Sequence, residues 1–202
     1  MIKAITFDLD GVYFPEDGKK GFHKRLTELV GDESKVVHAL YKSPEMLKLV
    51  TDELSEIQFT DWFNSYLGTE FTVDSLGEFW TRDYSVNDEV SNYIKSAKSA
   101  GYICCTCSNN NRIRVSALQN KFNFLDEFDV KIFSYEYKTV KPSTKIYQAL
   151  LEQAGVKAEE LVYSDDNPAR LDGAIQLGIN TFVYEDFQQF QDELSKLKVE
   201  VN

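Results

Sequence analysis

Short apolar runs alternate with amphipathic stretches along most of the chain, and this alternation predicts strands and helices in turn. Residues 2–7 (IKAITF) form an apolar run that ends in acids and Gly11, which is typical of a buried parallel strand. Four later runs also predict strands, namely 102–107, 129–133, 161–164 and 179–184, and helical patterns precede or follow each of them. Strands that alternate with helices indicate an α/β fold with a doubly wound parallel sheet and right-handed crossovers.

One long stretch departs from this alternation. Between about residues 19 and 80 apolar residues recur at helical spacing, as in Phe59, Trp62, Phe63 and Tyr66, and no strand pattern occurs. We expect a helical insert whose aromatic residues mainly form its own core.

Composition limits the classes of partner. The chain has 202 residues, of which 43% are hydrophobic, and a formal net charge of −11. This length suits one sizeable core, or a core with a small accessory domain. An acidic surface repels a phosphate backbone, so we expect no nucleic-acid partner. No apolar run approaches the ~20 residues that span a bilayer, and the N-terminal residues lack a signal-peptide pattern, so we expect no membrane partner.

The cysteines carry little functional signal. Cys104, Cys105 and Cys107 lie together in one predicted strand, where such close neighbours cannot easily form a disulfide. We interpret them as small apolar fillers of a buried strand rather than as ligands of a soft metal. Their odd number fits a reducing, cytoplasmic location best.

Polar residues follow the predicted strands at the points where each strand ends. Asp8 and Asp10 follow the first strand, Ser108 and Asn109 follow the second, and a pair of acids follows a later one (Asp165 and Asp166). Lys141 precedes a helix on the same side of the sheet. Ligands of open parallel sheets bind outside the carboxyl ends of the strands, so four chain segments converge on one potential site.

The spacing of Asp8 and Asp10 suits acid–base chemistry. Residues i and i+2 of an extended chain point to the same side, so both carboxylates can face one reacting atom. One can coordinate a metal and attack while the other transfers protons. Hard oxygen ligands, with neither histidine nearby, favour Mg²⁺. Taken alone, the pair could equally cap a turn.

The other polar residues also have ordinary structural interpretations. Ser108 and Asn109 could form a helix N-cap, and Lys141 could be a solvated surface lysine. Lys141 stands directly before Pro142, which favours a fixed ammonium at the start of a helix. Asn167 and Pro168 similarly predict an N-cap and first helical residue, which places the two preceding acids at a positive helix end.

The four segments together resemble the haloacid dehalogenase superfamily, in its branch with a helical cap inserted after the first motif. The matching segments are FDLDGV (7–12), TCSNNN (106–111), KPSTKIY (141–147) and YSDDNPARLDGAIQLGI (163–179), in the order expected for that family. The resemblance implies a Rossmann-like core of residues 1–13 and 86–202 and a small helical cap domain of residues 14–85.

The resemblance also implies a role for each site residue. Asp8 would be the nucleophile that forms a phosphoaspartate, and Asp10 the general acid/base. Ser108, Asn109 and Lys141 would hold the phosphate, and Lys141 would also restrain the nucleophile. The family's Mg²⁺ ligands correspond to Asp8, the main-chain oxygen of Asp10, and Asp166, with Asp165 in support.

Two positions depart from the family pattern. Residues 13–16 (YFPE) replace the acid and small residues common in relatives of sugar-phosphate mutases, which obscures the substrate. Arg170 stands where the fourth motif usually has Asn or Asp, so a cation replaces an acceptor near the metal. It could weaken metal binding or form an ion pair with Asp165.

The expected function is therefore a Mg²⁺-dependent phosphatase of a small phosphorylated metabolite, such as a sugar phosphate, acting as a monomer or weak homodimer. A dehalogenase is disfavoured because Asp10 is intact. The alternatives are a phosphomutase of the same superfamily and a non-catalytic phosphoacceptor or binding module, since both use acids, a hydroxyl and a lysine at a sheet edge.

Overall fold

A five-stranded parallel sheet in the order β3-β2-β1-β4-β5 forms the centre of the structure, a computed structural model that describes residues 1–201. The central strands are apolar and buried on both faces, as strands covered by helices on both sides require. The five strands are β1 (Ala4–Phe7), β2 (Ile103–Ser108), β3 (Val130–Phe133), β4 (Leu161–Asp165) and β5 (Asn180–Val183). The predicted α/β fold with a doubly wound sheet is confirmed.

Helices cover both faces of the sheet. The helices outside the insert are α6 (Asp88–Ser99), α7 (Arg112–Phe122), α8 (Ser134–Tyr137), α9 (Thr144–Ala154), α10 (Asp172–Gln176) and α11 (Phe187–Lys196). On one face α6 and α11 bury residues such as Ile94 and Phe190 against β1, and on the other α9 and α10 bury Ile146 and Ala174 against β2 and β4. Short 3₁₀ turns cover Phe124–Glu127, Ala158–Glu160 and Pro168–Arg170.

The α-helix predicted to begin at Pro168 begins later in the structure. The chain first makes the 3₁₀ turn Pro168–Arg170, and α10 begins only at Asp172. The hydroxyl of Tyr147 donates a hydrogen bond to the carbonyl oxygen of Arg170, so this carbonyl has a tertiary partner at the point where the two elements meet. Asn167 caps the turn as expected, since its Oδ1 accepts from the backbone N–H of Ala169 at 3.0 Å.

The helical insert lies between β1 and β2, and within the described residues it contains no strand. Its helices are α1 (Glu16–Val30), α2 (Glu33–Val37), α3 (Pro44–Val50), α4 (Glu56–Leu67) and α5 (Val73–Thr81), with a π-helical turn at His38–Lys42. Ser55 and Thr72 each form a capping box, which fixes the starts of α4 and α5. The insert has its own hydrophobic cluster, which includes the expected aromatic residues Phe59 and Phe63.

Helix α5 of the insert rests on helix α7 of the core. Ile113 of α7 is buried within the hydrophobic cluster of the insert. A Cβ atom at Gly77 of α5 would lie 3.1 Å from the Cβ of Ala117 and 3.2 Å from the carbonyl oxygen of Ile113, so glycine permits this close approach. The insert is therefore packed directly on the helix that follows the second polar segment.

The strand register brings the acidic residues of two segments to the same level. Thr6 of β1 pairs with Tyr163 of β4. Two residues further along each strand, Asp8 and Asp165 leave the sheet as neighbours. The chain runs outward from β1 through β2 to β3 and then returns to β4 and β5 on the other side, which makes the β1–β4 edge the switch point where such sheets bind ligands. No helix among residues 1–201 is long and apolar enough to cross a membrane.

Candidate active site

Asp8 stands at the centre of the polar cluster, with 1% of its surface exposed. Its Oδ1 accepts a hydrogen bond from the backbone N–H of Leu9 at 2.8 Å and lies 3.0 Å from the ammonium of Lys141. Its Oδ2 is buried and has no hydrogen-bond partner. Burial raises the pKa of Asp8 to about 6, against the lowering effect of Lys141. One oxygen is thus anchored while the other is available to attack or to bind a cation.

Lys141 is a fixed ammonium, as the sequence predicts. Its Nζ is completely buried and lies 2.6 Å from Asp165 Oδ2 and 3.0 Å from the carbonyl oxygen of Cys107. Burial by itself lowers the pKa of Lys141, but the adjacent carboxylates of Asp8 and Asp165 raise this pKa by more than burial lowers it, so the net shift is upward. The side chain therefore carries a charge between two acidic segments.

Asn109 braces the backbone of Lys141 from both sides. Its Oδ1 accepts from the Lys141 N–H at 2.8 Å, and its Nδ2 donates to the Lys141 carbonyl oxygen at 3.3 Å. Ser108 is the last residue of β2, is nearly fully buried, and lies beside this pair. The helix cap that follows is made by Asn111, whose Oδ1 accepts from the N–H of Arg114, so neither Ser108 nor Asn109 caps α7. Contact of Ser108 and Asn109 with a substrate stays a prediction.

The two acids after β4 have different environments. Asp165 is buried and accepts from Lys141, from the hydroxyl of Tyr163 at 2.6 Å and from the N–H of Asn167 at 3.0 Å. Burial raises the pKa of Asp165, but Lys141 and these hydrogen bonds lower it more, so the net shift is downward. Asp166 is partly exposed, and its pKa is raised by burial and by the neighbouring Asp165. Asp165 is thus held by three donors, whereas Asp166 is partly exposed, and their separate roles in metal binding stay predictions.

Three carboxylates form a potential metal site. Asp8, Asp165 and Asp166 each offer an oxygen, and these oxygens lie within 4.8 Å of one another. Asp8 and Asp165 are buried beside the partly exposed Asp166, and this concentration of negative charge is one that a cation would balance. An all-oxygen donor set suits a hard divalent ion such as Mg²⁺. The predicted contribution of the Asp10 main-chain oxygen stays a prediction.

Close packing around this site requires glycine at position 11. Gly11 has φ +82°, and a Cβ atom there would lie 2.5 Å from Asp166 Oδ2. Any residue with a side chain here would force the Asp166 carboxylate to shift. The glycine after the first motif is thus tied to the geometry of the fourth.

Arg170 also reaches the acidic cluster. Its Nη1 lies 3.7 Å from Asp8 Oδ2 and 3.9 Å from Asp165 Oδ1. Burial by itself lowers the pKa of Arg170, but the carboxylates of Asp8 and Asp165 raise this pKa by more than burial lowers it, so the net shift is upward. Of the two outcomes expected for a cation at this position, the contact with Asp165 is present, and a second contact with Asp8 accompanies it.

Asp10 is held by residues that the sequence alone did not identify. Its Oδ2 accepts from Arg114 Nη2 at 2.5 Å, and its Oδ1 lies 3.5 Å from the hydroxyl of Tyr84. Arg114 is buried in the first turn of α7, on the same face as the buried Leu118. A charged residue four positions before a core leucine is the one sequence signal that could have indicated it.

A pocket of about 290 Å³ lies on the insert. It is lined by Glu16, Lys19, Lys20, His23, Lys24 and Tyr41. The rings of His23 and Tyr41 are stacked with centroids 5.8 Å apart. The positive charge of Lys19 lowers the pKa of Asp166, although burial raises it more, and this links the pocket electrostatically to the acidic cluster.

Comparisons with known proteins agree with this arrangement. The family model for haloacid dehalogenase-like hydrolases matches residues 2–178. A D-ribitol-5-phosphate phosphatase of Bacteroides thetaiotaomicron is 21% identical over 96% of this chain and 98% of its own length.

Solved structures share the fold over nearly the whole chain. A HAD-like family hydrolase of Porphyromonas gingivalis matches with a TM-score of 0.79 and 24% identity, covering 99% of both chains. A HAD family enzyme of Bacteroides thetaiotaomicron, solved as the wild-type protein with magnesium and inorganic phosphate, matches with a TM-score of 0.76 and 21% identity, covering 94% of this chain and 99% of its own. Sheet and helical insert are therefore one shared architecture.

Proposed function

The chain belongs to the haloacid dehalogenase-like hydrolase family. We propose that it is a Mg²⁺-dependent phosphatase that hydrolyses a small phosphorylated metabolite through a phosphoaspartate. The observation that carries the proposal is the state of Asp8. Its Oδ1 is anchored by Lys141 and the Leu9 N–H, while its buried Oδ2 has no hydrogen-bond partner. A carboxylate held in this way presents one oxygen for attack.

The reaction would proceed in two displacements. In the first, Asp8 Oδ2 forms a bond to phosphorus, the bond from phosphorus to the ester oxygen breaks, and Asp10 gives its proton to the departing oxygen. In the second, Asp10 takes a proton from water, the water oxygen attacks phosphorus, and the acyl phosphate bond breaks to release inorganic phosphate and restore Asp8.

Charge stabilisation would come from the groups around Asp8. In this proposal the Lys141 ammonium, Ser108 and Asn109 bind oxygens of the transferring phosphoryl group. Asp8, Asp166 and the main-chain oxygen of Asp10, with Asp165 in support, would hold Mg²⁺, which when bound neutralises charge on the phosphoryl oxygens. The three carboxylates exceed the two nearby cations, Lys141 and Arg170, by one negative charge, so the site has room for a further cation.

The substrate proposal rests on the insert. We propose that residues 14–85 act as a cap on a core of residues 1–13 and 86–202, and that the organic part of the substrate occupies the pocket of about 290 Å³. Lysine, histidine and tyrosine side chains there suit a polar, hydroxylated molecule. The similarity to a D-ribitol-5-phosphate phosphatase supports a sugar or alditol phosphate as the substrate class.

The proposal is tested by measuring phosphate release from a panel of sugar and alditol phosphates, and from 4-nitrophenyl phosphate. We expect catalytic turnover with Mg²⁺, none in excess chelator, and weaker restoration by Ca²⁺, whose larger and more flexible coordination shell suits the site less well. Full activity in chelator would contradict the metal assignment. Conversion of a sugar phosphate to its isomer without phosphate release would identify a phosphomutase, and stoichiometric phosphorylation without turnover would identify a phosphoacceptor.

A further inference from the structure

Three nitrogen atoms of one buried guanidinium each have a separate partner around Asp10. Arg114 Nη2 lies 2.5 Å from Asp10 Oδ2, Nη1 lies 3.3 Å from the hydroxyl oxygen of Tyr84, and Nε lies 2.9 Å from Asn110 Oδ1. The planar fork of arginine makes these directions mutually dependent, so the orientation of the Asp10 carboxylate is set by all of them.

The second oxygen of Asp10 belongs to the same network. The Tyr84 hydroxyl accepts from Arg114 and lies 3.5 Å from Asp10 Oδ1, so one tyrosine touches both members of the ion pair. Tyr84 lies between α5 of the insert and α6 of the core, at the point where the chain passes from one to the other.

The insert contacts this network through the aromatic residue Trp80. The guanidinium carbon of Arg114 lies 6.0 Å from the ring centroid of Trp80, the buried aromatic residue near the end of α5. Trp80 stacks in turn on Phe22 of α1, with centroids 4.7 Å apart. Because α5 rests directly on α7 at Gly77, a displacement of the insert would move the residues that flank Arg114.

We propose that Arg114 is a positioning residue that fixes the Asp10 carboxylate at the junction of insert and core, and thereby makes proton transfer by Asp10 depend on how the insert sits on α7. This inference rests on the proposed function, in which Asp10 transfers protons. Arg114 does not touch phosphate in this account. It acts only through Asp10, and this distinguishes it from Lys141.

The proposal predicts that Arg114 matters only when Asp10 can act. With 4-nitrophenyl phosphate the leaving group needs little protonation, so Arg114→Gln should form phospho-Asp8 within about threefold of the wild-type rate. Its turnover should fall about tenfold or more, because hydrolysis of the phosphoenzyme needs Asp10 as base. Arg114→Lys keeps the positive charge but loses the planar guanidinium, so its turnover should lie between those of the wild type and Arg114→Gln.

The decisive readout is a double-mutant cycle with Asp10→Asn. In the Asp10→Asn background, Arg114→Gln should change the rate of phosphoenzyme hydrolysis less than about twofold, because the carboxylate that it positions is absent. Equal fold-losses in both backgrounds would overturn the proposal and identify a structural arginine. Phosphorylation of Asp8 slowed as much as turnover would overturn it too.

If Arg114→Gln unfolds the chain, two other variants provide the test. Arg114→Lys can be measured in the same cycle, and Trp80→Leu removes the aromatic neighbour without leaving a charge unpaired. Each should lower turnover when Asp10 is present and leave the Asp10→Asn protein within about twofold. Wild-type protein that neither hydrolyses aryl phosphate nor becomes phosphorylated would contradict the proposed function itself, whereas normal wild-type turnover with additive losses would contradict this inference alone.

Discussion

The ammonium of Lys141 lies 3.0 Å from Asp8 Oδ1 and is fully buried with it. Removal of the lysine is costly, because two buried carboxylates then lose the cation nearest to them. The same ammonium also serves Asp165, so one cation holds the segments after β1 and β4 together. This contact joins the chemistry of the site to the stability of the fold.

Replacement of Lys141 should therefore affect both activity and stability. We expect Lys141→Ala to lower kcat/KM by on the order of a hundredfold or more, because a charge-assisted contact with the phosphoryl group is lost. The free energy of unfolding at neutral pH should fall by about 3 to 5 kcal/mol, because Asp8 and Asp165 stay buried without their cation. Kinetics and chemical denaturation check the two effects. Lys145→Ala, at an exposed lysine of α9, is the matched control, and equal behaviour of the two variants would contradict the assignment.

Arg170 should set the affinity of the site for metal. Its guanidinium lies 3.7 Å from Asp8 Oδ2 and 3.9 Å from Asp165 Oδ1, and both carboxylates belong to the proposed metal site. Arg170→Asn removes this competing charge and supplies a neutral acceptor, so Mg²⁺ should bind about tenfold more tightly. The measurement is the dependence of the melting temperature on Mg²⁺ concentration, which needs no turnover. The exposed Arg82, replaced by Asn, serves as control, and unchanged affinity in Arg170→Asn would show that the arginine and the metal do not compete.

The buried charge of Asp8 should destabilise the metal-free protein at neutral pH. Burial raises the folded-state pKa of Asp8 from 3.8 to about 6. Above pH 6 the carboxylate is charged in both states and its burial lowers the free energy of unfolding. As the pH falls from 6 toward 4, the folded state binds the proton first and this cost disappears. In chelator, Asp8→Asn should thus melt a few degrees above wild type at pH 7.5, and the gain should shrink toward pH 4.5.

A matched control separates this effect from a general loss of acidic charge. Asp10→Asn removes an equal charge but leaves the buried Arg114 without its carboxylate, so its melting temperature should fall. A pH-independent gain in both variants would contradict the explanation from Asp8 burial.

The pocket on the insert should determine substrate preference. Lys19 lines this pocket and acts on the pKa of Asp166. Lys19→Gln should raise KM several-fold for the preferred metabolite and leave kcat/KM for 4-nitrophenyl phosphate nearly unchanged, because the aryl group makes few polar contacts. Lys48→Gln, at an exposed lysine of α3 away from the pocket, should change neither. Equal effects of Lys19→Gln on both substrates would place Lys19 at the phosphate rather than at the organic group.

The sheet and most of the site follow from the sequence for a simple physical reason. Each buried strand is a short apolar run that ends abruptly in polar residues, and the carboxyl ends of parallel strands lie at one edge. Asp8, Ser108 and Asp165 could therefore be placed together without any tertiary information. The ammonium of Lys141 was identified by its position before a proline, and the structure shows it buried between two of these segments.

The supporting residues could not be predicted in the same way. Arg114 lies within a helix and Tyr84 in a connection, and both contact Asp10 from positions far away in the sequence. Asn109 gives no sign in the sequence that its amide would brace the backbone of Lys141. Local pattern specifies where a chain turns and what it buries, whereas these contacts depend on how distant segments meet.

In the proposed mechanism Asp8 carries the phosphoryl group, and Asp10 activates the water that hydrolyses the phosphoaspartate. Asp8→Asn should end all turnover, because an amide is too poor a nucleophile to form the acyl phosphate. Asp10→Asn should still react once with 4-nitrophenyl phosphate and then stall, since no base activates water for the second displacement. Rapid quench of Asp10→Asn followed by mass spectrometry measures this directly. We expect a stoichiometric burst of nitrophenol and one added phosphate on Asp8. Phosphate on Ser108 instead, or no added phosphate while Asp8→Asn remains active, would contradict this mechanism.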